Sequence, residues 1–137
     1  MLGNLAQFNA DIDNFARKIV PKKAAQLQTK IALEALRRIA EKTPVRTGRA
    51  KGNWIPTIGS PAPDTIESFD KTKSGSMVVA RGRAILTADR PPFSTVYITN
   101  NVNYIEYLEE GSSKQAPAGM VGITIMELQQ MNFGGEI

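Results

Sequence analysis

Three carboxylates, Glu106, Glu109 and Glu110, stand together in the second half of a chain of 137 residues. On a helix they share one face, and a carboxylate pair on one face is the minimum equipment for general acid and base work in a hydrolase. Nothing basic or polar beside them identifies a substrate. A solvated acidic face or a salt-bridging interface therefore outranks a hydrolase built on Glu106 and Glu109. Asp11 and Asp13 lie two apart, a spacing that points them in different directions on a helix. The glycines of the stretch 75–83, Gly-Ser-Met-Val-Val-Ala-Arg-Gly-Arg, are separated by six residues where a phosphate-binding loop has four, and no Lys-Ser or Lys-Thr follows. No nucleotide site is expected there.

The missing residue types exclude more. The chain has no His and no Cys, which removes Ser-His-Asp and Cys-His catalysis, thiolate nucleophiles, disulfides and zinc sites of the usual nitrogen and sulfur ligands. An all-oxygen magnesium site survives in principle among the 13 Asp and Glu. No cofactor and no metal is expected, and the chain reads as non-enzymatic.

Net charge is +4, but its distribution says more. Residues 1–51 carry eleven Lys and Arg against four Asp and Glu, and the remainder six against nine. Basic density invites nucleic acid through phosphate neutralisation and counterion release. Lys22, Lys23, Lys30, Arg37 and Arg38 are the candidates to face DNA in a channel. They come without a zinc finger, a helix-turn-helix spacing or an aromatic single-strand platform, so base-specific reading is not expected. A chain basic at one end and acidic at the other also invites a second copy of itself, head to tail, and such a heterologous contact closes into a ring where the rotation permits.

The elements that must position these residues follow from periodicity. Leu5, Phe8, Ile12, Phe15, Ile19, Leu27, Ile31, Ala35, Leu36 and Ile39 recur at helical spacing, with a break or kink at Pro21, which opens a second helix. That helix stops near Lys42, because Thr43 precedes Pro44 and is pushed toward extended geometry. Residues 43–48 form a connector in which Gly48 is the place for positive φ. An extended segment spans 53–58, with Pro56 marking an edge or a bulge. Residues 59–75, polar and without period, read as a mobile loop. Ser76 is placed to cap a helix over 77–88. Residues 95–99 alternate as a strand does, Asn100 and Asn101 suit a turn using left-handed geometry, and 104–110 is a short helix closed by Gly111. Residues 112–119 are loop and 120–133 a final helix. Apolar residues at 42% predict a folded chain, and 137 residues predict a single domain, helical over 1–43 and mixed over 44–137. The opening residues lack a basic, then apolar, leader pattern and no apolar run approaches the roughly 20 residues of a membrane span, so a soluble, cytoplasmically made protein without a membrane partner is expected.

Two stretches carry a family resemblance. Thr43-Pro44-Val45-Arg46-Thr47-Gly48-Arg49-Ala50-Lys51-Gly52-Asn53-Trp54 resembles the segment after the long helix of tailed-bacteriophage neck and tail-completion proteins, the family that includes minor tail protein Z of lambda-like phages. Thr99-Asn100-Asn101-Val102-Asn103-Tyr104-Ile105-Glu106-Tyr107-Leu108-Glu109-Glu110-Gly111, followed by Ser113-Lys114-Gln115-Ala116-Pro117-Ala118-Gly119-Met120-Val121, resembles its second signature. The order of the two, the preceding interrupted helix and the length agree over residues 4–130. Arg46 departs from the pattern, since relatives tend to carry a small acidic residue there. The resemblance implies an α+β subunit, with helices packed on a small, mostly antiparallel sheet and a helix at the C-terminal end. It implies a structural virion protein, assembled in the host cytoplasm, forming a ring at the head-proximal end of the tail. Such a ring meets the head connector and the tail terminator or tube proteins and leaves a channel through which DNA passes. The segments assigned to subunit or partner contact contain Arg46, Thr47, Gly48, Arg49, Asn53 and Trp54, then Tyr104, Tyr107, Glu109, Glu110, Lys114, Gln115, Pro117 and Met120. Trp54, Tyr104, Tyr107 and Met120 are the candidates for the buried part of that contact, although Trp54 reads first as an ordinary core residue, and Phe133 is a further recognition candidate.

Overall fold

The computed structural model of the protein describes residues 12, 13, 17 and 20–131. The expectations at Leu5, Phe8, Phe15, Ile19 and Phe133 lie outside the described residues. The longest element is helix α1, Val20–Lys42. Pro21 sits in its first turn, where a missing N–H breaks no hydrogen bond. Ala32, Leu36, Ile39 and Ala40 form its buried stripe, at the spacing of one helix face. The helix ends where Pro44 requires it to, and Thr43 completes the end: its hydroxyl donates to the Ile39 carbonyl at 2.6 Å and accepts the Trp54 indole N–H at 2.8 Å. A buried indole thereby satisfies its one polar atom.

After Gly48 come the single turn α2, Arg49–Gly52, and strand β1, Ile55–Ile58. Strand β2, Val96–Thr99, runs antiparallel to β1 with Ile55 opposite Thr99 and Ile58 opposite Val96. The Gly59 N–H donates to the Thr95 carbonyl at 2.8 Å, so by the alternation of an antiparallel ladder Thr57 also bonds inward and Pro56 turns its nitrogen away from β2. Pro56 is thus at an edge, as its type demands. Helices α3, Ser76–Leu86, α4, Ile105–Glu109, and α5, Val121–Gln129, complete the order. The fold is α+β: helices around a two-stranded antiparallel sheet, with long α1 first and α5 last. Leu36, Ile39, Ala40, Trp54, Val78, Ala116 and Met120 make one core, with Ile98, Ile105, Leu108 and Val121 packed against it. No helix among the described residues is long and apolar enough to cross a membrane.

The stretch 59–75 has no helix or strand, yet it is fastened along its length instead of hanging free. The Asn53 carboxamide accepts the Ile66 N–H at 2.8 Å and donates back to the Ile66 carbonyl at 3.1 Å. The Asn101 amide donates to Ala62 and Asp64 carbonyls, and the buried Lys51 ammonium donates to the Thr72 and Lys73 carbonyls at 2.8 and 2.9 Å. Burial pushes the Lys51 amine down, while the charge of Asp70 pulls it up. The Asp70 N–H donates to the Gly48 carbonyl at 2.9 Å. Gly48 has φ 87°, and a Cβ there would stand 2.7 Å from the Asp70 backbone, so glycine is required on both counts.

Asp70 also corrects the expected start of α3. Ser76 does not cap it. The cap position is Gly75, and the free N–H groups of Met77 and Val78 donate to Asp70 Oδ2, both at 3.1 Å, while Ser76 N–H donates to Thr72 Oγ1 at 3.0 Å. Thr72 in turn donates to Asp70 Oδ1 through both its N–H and its hydroxyl. Burial raises the Asp70 pKa, but these bonds from Thr72 and Val78, aided by Lys51, outweigh it and hold the carboxyl below its ordinary value. The turn at 100–101 also differs from expectation. Asn100 Oδ1 accepts the Val102 N–H at 3.1 Å, a side-chain turn without left-handed backbone, and the one non-glycine at positive φ among the described residues is Phe93.

Removing Asp70 strips acceptors from two backbone N–H groups of α3 and from Thr72. Asp70→Ala is expected to lower unfolding free energy by about 2–4 kcal/mol, whereas Ser76→Ala changes it by less than about 0.5 kcal/mol. Urea denaturation of the two variants checks this, and equal losses would return the cap to Ser76.

Candidate assembly interface

The stretches 43–54 and 99–121 meet in the fold. Residues 44–50 form one wall of a groove of about 510 Å³, and Tyr104, Leu108, Ser113 and Gln115 form the other. The walls are joined by Gln115, whose side chain accepts the Val45 N–H at 2.9 Å and donates to the Val45 carbonyl at 3.3 Å. This is strand-like pairing made by a side-chain amide across 70 residues of chain. On the first wall, Pro44 keeps the backbone extended after α1 and Gly48 turns it into α2, which leaves Arg46 and Thr47 exposed and Arg49 half-buried. On the second wall, α4 is short because Gly111, at φ 89°, ends it, and the Gly111 N–H donates to the Leu108 carbonyl at 3.1 Å.

The expected contact residues divide sharply by burial. Arg46, Thr47, Tyr104, Tyr107, Glu110, Lys114, Gln115 and Pro117 are exposed, Tyr107 to 67%. Gly48, Asn53, Trp54 and Met120 are buried within the subunit, while Arg49 and Glu109 are half-buried. Met120 is fully buried and Trp54 is 4% exposed, both in the core. Asn53 is buried and bonded to Ile66, and Gly48 is closed over by Asp70.

Glu109 is a correction. Its carboxylate accepts the N–H groups of Met120 at 3.0 Å, Val121 at 2.8 Å and Gly122 at 2.9 Å. It therefore caps α5 from eleven or more residues upstream, placing negative charge at a helix N-terminus. Burial pushes its carboxyl up, but the bonds from Val121, Gly122 and Met120 prevail and hold it below the ordinary glutamate value. All three bonds to the Glu109 carboxylate thus come from the first N–H groups at the start of α5. The one trace of this role in the sequence is negative: no Ser, Thr, Asp or Asn stands just before α5. Among the described residues, no group of three or more potential metal ligands converges.

The DNA-facing candidates divide too. Lys22, Lys23 and Lys30 are exposed along α1. Arg37 is paired with Glu34 and Glu41, the latter at 3.2 Å, and Arg38 with Glu34 at 2.7 Å and Glu127 at 3.1 Å. Lys42 adds a 2.7 Å bond to Glu127. Hydrogen bonds from Arg37 and Arg38 hold Glu34 below its ordinary pKa, and those from Lys42 and Arg38 do the same for Glu127. The basic stretch read from the sequence is thus partly neutralised in place, and Arg38 and Lys42 link α1 to α5. Lys51, Arg81 and Arg90 carry no local signal of a structural role, yet each directs donors at backbone carbonyls: Lys51 as above, Arg81 at Gly52 and Trp54, Arg90 at Leu86 and Ala25.

No family model, curated protein or solved structure matches the chain.

Because the folded state holds the Glu109 carboxyl below its ordinary value of 4.5, ionised Glu109 stabilises the fold above that pH and the contribution is lost as pH falls through the lowered value. Glu109→Gln is expected to cost about 1–2 kcal/mol at neutral pH, with the gap to wild type narrowing below pH 4.5. Denaturation at pH 7 and in acid measures it, and a gap independent of pH would remove the charge from the capping role.

Proposed function

We propose that the chain is a structural subunit of a tailed-phage neck, forming a ring at the head-proximal end of the tail and joining it to the head connector around a DNA channel. The observation that carries this reading is the groove: the two stretches that resemble the family's signatures lie far apart in the chain and form its two walls. A 14.9 kDa subunit with Tyr107 standing 67% exposed beside that groove has an anchor for a neighbour. On this reading the protein works without catalysis, cofactor or metal, belongs to the virion, and touches connector and tail terminator or tube proteins. DNA passes without sequence-specific contact.

The reading is tested by multi-angle light scattering and negative-stain microscopy of the purified protein, alone and mixed with tail and connector components. Rings or multimers of defined mass are expected. A monomer in every mixture overturns the proposal, and DNA binding that falls steeply with salt, without assembly, puts a DNA-binding protein in its place.

A further inference from the structure

The geometry points to which two surfaces mate in the ring: the ridge of α4 formed by Glu106, Tyr107 and Glu110 on one copy enters the Arg46 and Arg49 groove of the next. This rests on the ring reading and names its contact. Helix α4 has two sides. Tyr104 and Leu108 turn into the subunit's own groove. Glu106 and Glu110 are exposed and occupy the other side by helical spacing, and Tyr107, also exposed, stands at the edge between the two sides. Among the described residues no carboxylate pairs with the Arg46 or Arg49 guanidinium and no cation pairs with Glu106 or Glu110, although the acids of α1 and α5 do take such partners. Two cations thus line a socket, and two anions one helical turn apart stand beside an exposed aromatic ring at the far edge of one short helix.

Charge decides how copies join. Groove against groove sets arginine on arginine, and ridge against ridge sets glutamate on glutamate, so a two-fold contact through either surface is repulsive. Ridge into groove is attractive, and it leaves a joined pair with a free groove on one copy and a free ridge on the other, the requirement for a heterologous contact that repeats. Tyr107 enters between the arginines, where its ring face suits a guanidinium.

Charge reversal in two variants tests the pairing. Arg46→Glu/Arg49→Glu alone and Glu106→Arg/Glu110→Arg alone are each expected to lose assembly, shifting the mass by light scattering from multimer to monomer. Mixing the two recreates both attractions in alternation and is expected to restore the multimer. Circular dichroism and melting confirm that each variant is folded, and Tyr107→Ala, expected to weaken assembly in the same way, replaces a variant that is not. If wild type assembles and either reversed variant assembles equally well, or the folded mixture stays monomeric, the pairing is wrong while the ring stands. A groove variant that loses phosphate or duplex DNA binding with no change in assembly assigns the groove to nucleic acid and also overturns the pairing. If wild type itself never assembles, the ring reading fails first.

Discussion

The buried Asp70 carboxylate, accepting from Thr72, Met77 and Val78, is the interaction on which the arrangement depends. A fold with one two-stranded sheet has few ladder bonds to offer, and a long irregular stretch would leave buried backbone groups without partners. Here side chains supply them. Asp70 starts α3, its own N–H fixes Gly48, and Lys51 and Asn53 from the adjoining turn hold the rest of the loop. Because Gly48 turns the chain into α2, the same bond sets the direction of the first groove wall. The second wall is built on the same principle, with Glu109 starting α5 and Gln115 pairing with Val45.

The surface follows from that interior. With Arg81, Arg90 and Lys51 directed at carbonyls, and Arg37, Arg38 and Lys42 facing Glu34, Glu41 and Glu127, much of the chain's positive charge serves its own fold. Arg46 and Arg49 stand apart from those networks, as Glu106 and Glu110 do. Exposed ion pairs are each worth about 1 kcal/mol or less, so such charges set register and approach more than strength. In the proposed contact, strength would come from the apolar and aromatic area brought together.

Local signals were legible from the sequence. Thr43 before Pro44 marked the end of α1, the β-branched alternation at 95–99 marked β2, and Gly111 marked the end of α4, because each acts on its own neighbours along the chain. What could not be read was fastening over distance. Ser76 looked like a cap because Asp70 lies six residues before it, outside any local capping pattern. Glu109 looked like surface acid because α5 begins a loop later. Trp54 reads as core by its type and is core, but residue type does not distinguish Met120, which is core, from Tyr107, which is exposed. The family-like stretches were visible as strings, but their meeting in one groove depends on Gln115 and on three-dimensional closure that periodicity does not encode.

Proximity of ridge and groove across copies is the central claim, and covalent capture measures it directly. The chain has no cysteine, so a double variant Thr47→Cys with Asn103→Cys places one thiol in the groove wall and one beside the ridge while all four charges remain. Oxidising the assembled protein and separating it under non-reducing denaturing conditions is predicted to yield a ladder of disulfide-linked multimers, reversible by reductant. Assembled rings that release only monomers after oxidation would contradict the account.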